Sequence, residues 1–101
     1  MITYEVKEIA QQDLEEIKLY YRHNHILPSF EKLKTKFYNL FDSFCIFSRM
    51  GEPVQLEGWQ DFHYTIVEPY YIFYSYNETK VYIERILHTK QLVSEIAKNT
   101  V

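Results

Sequence analysis

The chain has 101 residues, 47% hydrophobic and 18% aromatic with only 2 Gly and 3 Pro, so residues 1–101 read as one packed domain, too short for a second core and too apolar to be disordered. The net charge of −3 is unevenly spread: residues 1–50 hold seven Lys/Arg and seven Asp/Glu, whereas residues 51–101 hold four basic against seven acidic groups. Because affinity for nucleic acid comes mainly from clustered Lys/Arg that neutralise phosphates, the second half is a poor phosphate-binding surface.

In chain order, Ile2, Tyr4 and Val6 alternate with Thr3, Glu5 and Lys7, the pattern of a short half-buried strand. Ala10, Leu14, Ile17 and Tyr21 then recur at helical spacing. Asp13, Glu15 and Glu16 lie near the start and Lys18 and Arg22 toward the end, as the helix dipole prefers. Asn24 and Pro28 are expected to break this helix. Phe30, Leu33, Phe37, Leu40, Phe44 and Phe47 form the stripe of a second one, with Ser29 as its N-cap and Gly51 and Pro53 ending it. The default reading of Lys32, Lys34 and Lys36 is a solvated face of that helix.

Beyond Pro53 the period changes to two. Residues 60–67, 70–76 and 81–88 read as three strands, with Asn77-Glu78-Thr79 as a hairpin loop and Val67-Glu68-Pro69 as a tight link. Gln91 to Lys98 suits a short C-terminal helix. The expected fold is therefore α+β, a two-layer β-α-α-β-β-β arrangement in which an N-terminal helix hairpin packs on an antiparallel sheet.

No signal-like N-terminus and no run of about 18 apolar residues is present, so a soluble cytoplasmic protein without membrane contact is expected. The one cysteine, Cys45, sits among Phe44, Ile46 and Phe47 and reads as a small buried hydrophobe. Neither His23-Asn24-His25 nor Asp61-Phe62-His63 has a third ligand at metal spacing, so no metal and no cofactor are expected. Arg85 and His88, three apart on a strand, are expected to point to opposite faces. The expected partner of Arg85 is a carboxylate, from its own sheet or from a helix.

The element order, the strand "PYYIFYSY" and the ending "RILHTKQ" together resemble the RelE/ParE superfamily of bacterial type II toxins. In that superfamily the third strand commonly reads Tyr-Arg-Ile-x-Tyr and the last Arg-Val-Leu-His followed by basic residues. The resemblance covers essentially the whole chain. It implies a toxin held inactive by a cognate antitoxin, acting on DNA gyrase, as ParE does, or cutting messenger RNA on the ribosome, as RelE does. RelE-like nucleases carry two lysines and two arginines that stabilise phosphate charge. The matching positions here are Phe62, Tyr64, Tyr71 and Gln91, so the chain is expected to lie nearer the ParE-like, plasmid-stabilising members, with direct nucleic-acid binding confined to the ribosome alternative.

Three sets of residues follow from these readings. Arg85, His88 and Lys90 are expected at a target-binding edge. Tyr71, Phe73 and Phe62 are expected to meet the antitoxin, because an apolar aromatic face with hydroxyls suits a docked helix or strand. If any proton transfer occurs, His88, Tyr64 and Tyr71 are its candidates. A further alternative is a non-toxic family member that serves only as a protein-interaction module.

Overall fold

A computed structural model describes residues 2–92. Strand β1 (Thr3–Val6) leads into helices α1 (Glu8–His23) and α2 (Leu27–Ile46). A 3-10 turn (Ser48–Met50) follows, then strands β2 (Glu52–Pro53), β3 (His63–Val67), β4 (Tyr70–Tyr76) and β5 (Lys80–His88). The five strands form one sheet in the order β1-β5-β4-β3-β2. Residues 89–92 are helical, consistent with the expected C-terminal helix; the remainder of that expectation, residues 93–98, lies outside the described residues. Among the described residues no helix is long and apolar enough to cross a membrane.

The meander β3-β4-β5 is antiparallel, but β1 pairs with β5 in parallel, so the sheet is mixed rather than antiparallel throughout. Alternation along a strand reports which residues face the core and carries no information on strand direction. The helix hairpin and meander bring the chain back beside its own start, where Lys7 N donates to Ile83 O at 3.0 Å.

The main core lies between the helix hairpin and one face of the sheet. Ala10 and Ile17 from α1 meet Phe30, Leu33, Phe37, Phe41 and Phe44 from α2 over Ile72, Tyr74, Val81, Ile83 and Ile86. The stripe on α2 differs from expectation at its end: Phe41 is fully buried, whereas Phe47 is 61% exposed because α2 stops at Ile46. Ser29 is not the N-cap either. Helix α2 opens at Leu27 with Pro28 in its first turn, where a missing N–H costs nothing and the ring presets φ. The first of the three expected strands begins only at His63, because residues 54–62 form a loop.

Helix α1 ends in a Schellman-type motif. Ile26 N donates to Tyr21 O at 2.9 Å and His25 N to Arg22 O at 3.0 Å, with His25 in the left-handed region at φ 58. A glycine adopts that conformation without Cβ strain. His25→Gly should therefore stabilise the fold by about 1 kcal/mol, seen as a higher melting temperature. An unchanged or lower value would show that His25 is unstrained there.

Candidate functional site

Alternate residues of β3, β4 and β5 face away from the helices, and there they build a second apolar cluster. Phe73 and Leu87 are its buried centre, with Tyr64 and Tyr71 beside them. The loop after β2 folds over this face, closed by Val54 N donating to Phe62 O at 3.0 Å. It sets Trp59 edge-on to Phe73 at 4.9 Å and Phe62 against Trp59 at 5.6 Å. Tyr71 stacks along Phe73 at 6.3 Å and lies 5.7 Å from Tyr64. The result is an aromatic ledge. Its floor, Phe73, is only 2% exposed beneath the chain's own Trp59, while Tyr71, Phe62 and Tyr64 remain half-buried and Ile66 beside them is 48% exposed. Of the three residues expected to meet an antitoxin, Phe73 is thus covered by its own chain and Tyr71 and Phe62 are accessible.

The basic end of β5 is organised by a β-bulge. Phe73 pairs with Arg85 and Tyr74 with Ile83, which leaves Glu84 as the extra residue, its carboxylate accepting from Ser75 Oγ at 2.6 Å. The extra residue breaks strict alternation, and both Arg85 and His88 turn toward α1 instead of facing opposite sides. Arg85 Nε and Nη2 donate to the two oxygens of Asp13 at 2.9 and 3.1 Å, and Ile86 N donates to Asp13 Oδ2 at 3.0 Å. The helix carboxylate expected for Arg85 is therefore Asp13, itself 6% exposed on the buried face of α1 rather than solvated near the helix start. Asp13 follows Ala10 by three and precedes Ile17 by four, so its position in the apolar stripe was readable from sequence.

His88 packs edge-on against Tyr70 at 5.5 Å, and with Lys90 it lines a cleft against Ile17, Tyr20 and Tyr21 of α1. Burial and the neighbouring Tyr21 hydroxyl push the Tyr70 hydroxyl well above the usual tyrosine range. At the strand end the side chains tie the backbone: Lys90 N donates to His88 Nδ1 at 3.1 Å and His88 N to Gln91 Oε1 at 2.9 Å. Thr89 donates to Pro69 O through both its N–H and its hydroxyl, each at 3.1 Å.

This geometry separates the three candidates for proton transfer. Tyr64 and Tyr71 lie together on the aromatic ledge, whereas His88 lies on the helix side of the sheet, so the three do not form one site. The positions matched to phosphate-stabilising groups hold half-buried aromatic rings at Phe62, Tyr64 and Tyr71. The fourth, Gln91, spends its carbonyl on the strand end. On Cys45, burial and then nearby Asp42 push the thiol up, away from the reactive thiolate.

A helix hairpin on one face of a mixed five-stranded sheet, with the last strand ending Arg-Ile-Leu-His, is the architecture of a RelE/ParE superfamily toxin. The chain belongs to the family described as ParE toxin of type II toxin–antitoxin system, parDE, which matches residues 4–93. Among solved structures it is similar to a chain of the chromosomal ParDE TA system from P. aeruginosa. The TM-score is 0.73 at 15% identity over 87% of this chain and 96% of that one, a likeness of fold. No curated protein matches the sequence.

Proposed function

We propose that this chain is a toxin that works by binding. It engages and inhibits a target such as DNA gyrase, and a cognate antitoxin neutralises it by covering the aromatic ledge. The observation that carries this reading is the chemistry of the ledge: Phe62, Tyr64 and Tyr71 are clustered with apolar neighbours, where stabilising a phosphorane would require cations. In this reading Lys90 meets the target at the end of β5, while Arg85 and His88 hold that end in place. Tyr71 and Phe62 meet the antitoxin, and Phe73 supports them from beneath. Both encounters are expected in the cytoplasm, without membrane or direct nucleic-acid contact.

Expression with and without the neighbouring open reading frame, read out as growth, supercoiling and translation, tests the proposal. Growth arrest with relaxed plasmid, relieved by the neighbour, supports it. Arrest with intact supercoiling and cleaved messenger RNA would favour the ribonuclease alternative, and harmless expression would leave only an interaction module. On the antitoxin side, Tyr71→Ala should weaken the complex by about 30-fold or more, the usual scale for losing an aromatic anchor. If titration calorimetry finds Tyr71→Ala and Phe62→Ala both bound like the parent, the antitoxin covers some other surface.

A further inference from the structure

The end of β5 carries a reciprocal pair of hydrogen bonds. His88 Nδ1 accepts from the N–H two residues on, at Lys90, and Gln91 Oε1 accepts from the N–H of His88. In helix terms His88 is the N-cap and Gln91 the third helical residue, the arrangement of a capping box with histidine in place of the usual Ser or Thr. The first helical residue, Thr89, is bound twice to Pro69 O. The turn that opens here is therefore tied to the sheet on two sides. One turn in, Leu92 packs against the cluster of Val54, Phe73 and Leu87.

We propose that His88 and Gln91 are positioning residues. As a capping pair they set the course of the chain after β5, and so place Lys90 at the α1 cleft and Leu92 on the underside of the aromatic ledge. This rests on the binding-toxin reading, in which both places are used. The role asks for an acceptor at one point and not for an imidazole as such. Asparagine meets the requirement, since its Oδ1 is bonded to Cγ as His88 Nδ1 is, and it ranks among the best N-caps. Alanine has no acceptor, and glutamine moves it one bond farther out.

The test uses the full-length chain as His88→Ala, His88→Gln, His88→Asn, Gln91→Ala and Gln91→Glu. The sole tryptophan, Trp59, belongs to the same cluster as Leu92 and reports on it by fluorescence. The Lys90 amide should exchange about five- to ten-fold faster in His88→Ala and His88→Gln, the loss expected for one cap. Trp59 emission should shift to the red and toxicity should fall with it. His88→Asn should restore all three readouts, Gln91→Glu should behave like the parent, and His88→Ala/Gln91→Ala should be no worse than the weaker single variant.

If His88→Asn is as defective in toxicity as His88→Ala while its amide exchange is normal, the imidazole itself is the functional group and the proposal is overturned. It is equally overturned if Lys90 exchanges at the parent rate in His88→Ala. Exchange and fluorescence need no target. A chain in which Asn rescues both, yet which leaves gyrase untouched, keeps the capping pair and removes the target reading instead.

Discussion

Asp13→Ala should destabilise the protein by about 3–5 kcal/mol, the scale for breaking a buried ion pair from one side. The carboxylate is 6% exposed and accepts three hydrogen bonds, two from Arg85 and one from Ile86 N. Alanine removes the acceptor of a buried backbone N–H and takes from Arg85 both bonds that tie β5 to α1. For a domain of this size the loss corresponds to a drop in melting temperature of roughly 12 °C or more. Asp13→Asn keeps the shape and one acceptor but not the charge, and should fall between the two. Arg85→Ala leaves the buried carboxylate with the Ile86 N–H as its remaining described donor and should cost a few kcal/mol as well. Thermal melts within 2 °C of the parent for Asp13→Ala, on the scale of roughly 4–8 °C per kcal/mol, would show that this cluster does not hold α1 to the sheet.

Gly51→Ala should cost about 3 kcal/mol, for reasons of space rather than backbone conformation. A Cβ there would lie 2.6 Å from Tyr74 Oη and 2.8 Å from both Tyr74 Cε1 and the backbone oxygen of Tyr64. Tyr74 is fully buried and stacked on Phe44 with ring centroids 3.8 Å apart, so its ring has nowhere to retreat. Its hydroxyl also joins the turn after α2 to the sheet, donating to Ser48 O and accepting from Gly51 N, each at 2.8 Å. Burial pushes that hydroxyl up, so it remains a protonated donor at neutral pH. A double-mutant cycle isolates the clash: in a Tyr74→Phe background the alanine should cost clearly less than in the parent. Equal costs in the two backgrounds, measured by urea unfolding, would mean that the Tyr74 hydroxyl is not what the methyl meets.

Much of this architecture is legible in the sequence. Helical spacing located both helices, and the aromatic run at residues 70–76 announced a central strand because the sheet buries it from both sides: Ile72 and Tyr74 under the helices, Phe73 under Trp59. The hairpin loop was equally clear, since Asn77 Oδ1 accepts from Thr79 N at 2.9 Å, Thr79 Oγ at 3.1 Å and Lys80 N at 2.9 Å, the turn chemistry expected of asparagine. What escaped were features that alternation does not encode. Strand direction was one, and the bulge at Glu84 that turns Arg85 and His88 toward α1 was another.

The expected sites divided along the same lines. Tyr71 and Phe62 both join the aromatic cluster, but Phe62 does so from the loop before β3 and not from the strand that periodicity predicted there, whereas the proton-transfer set joined residues from opposite faces. Asp13 was read only as one of three acids that suit the helix dipole near the start of α1, which says nothing of burial. Its place in the apolar stripe was the stronger signal. The capping pair was missed because histidine is not among the usual N-cap residues.

The central claim is that the chain inhibits by binding and does not cut RNA. Its most direct test is primer extension along a messenger RNA held on ribosomes, with and without the purified protein. The account predicts full-length extension at every concentration that arrests growth, because the positions matched to phosphate-stabilising lysines and arginines hold Phe62, Tyr64, Tyr71 and Gln91. Discrete codon-specific breaks that appear with the protein and vanish in Tyr71→Phe or His88→Ala would contradict it.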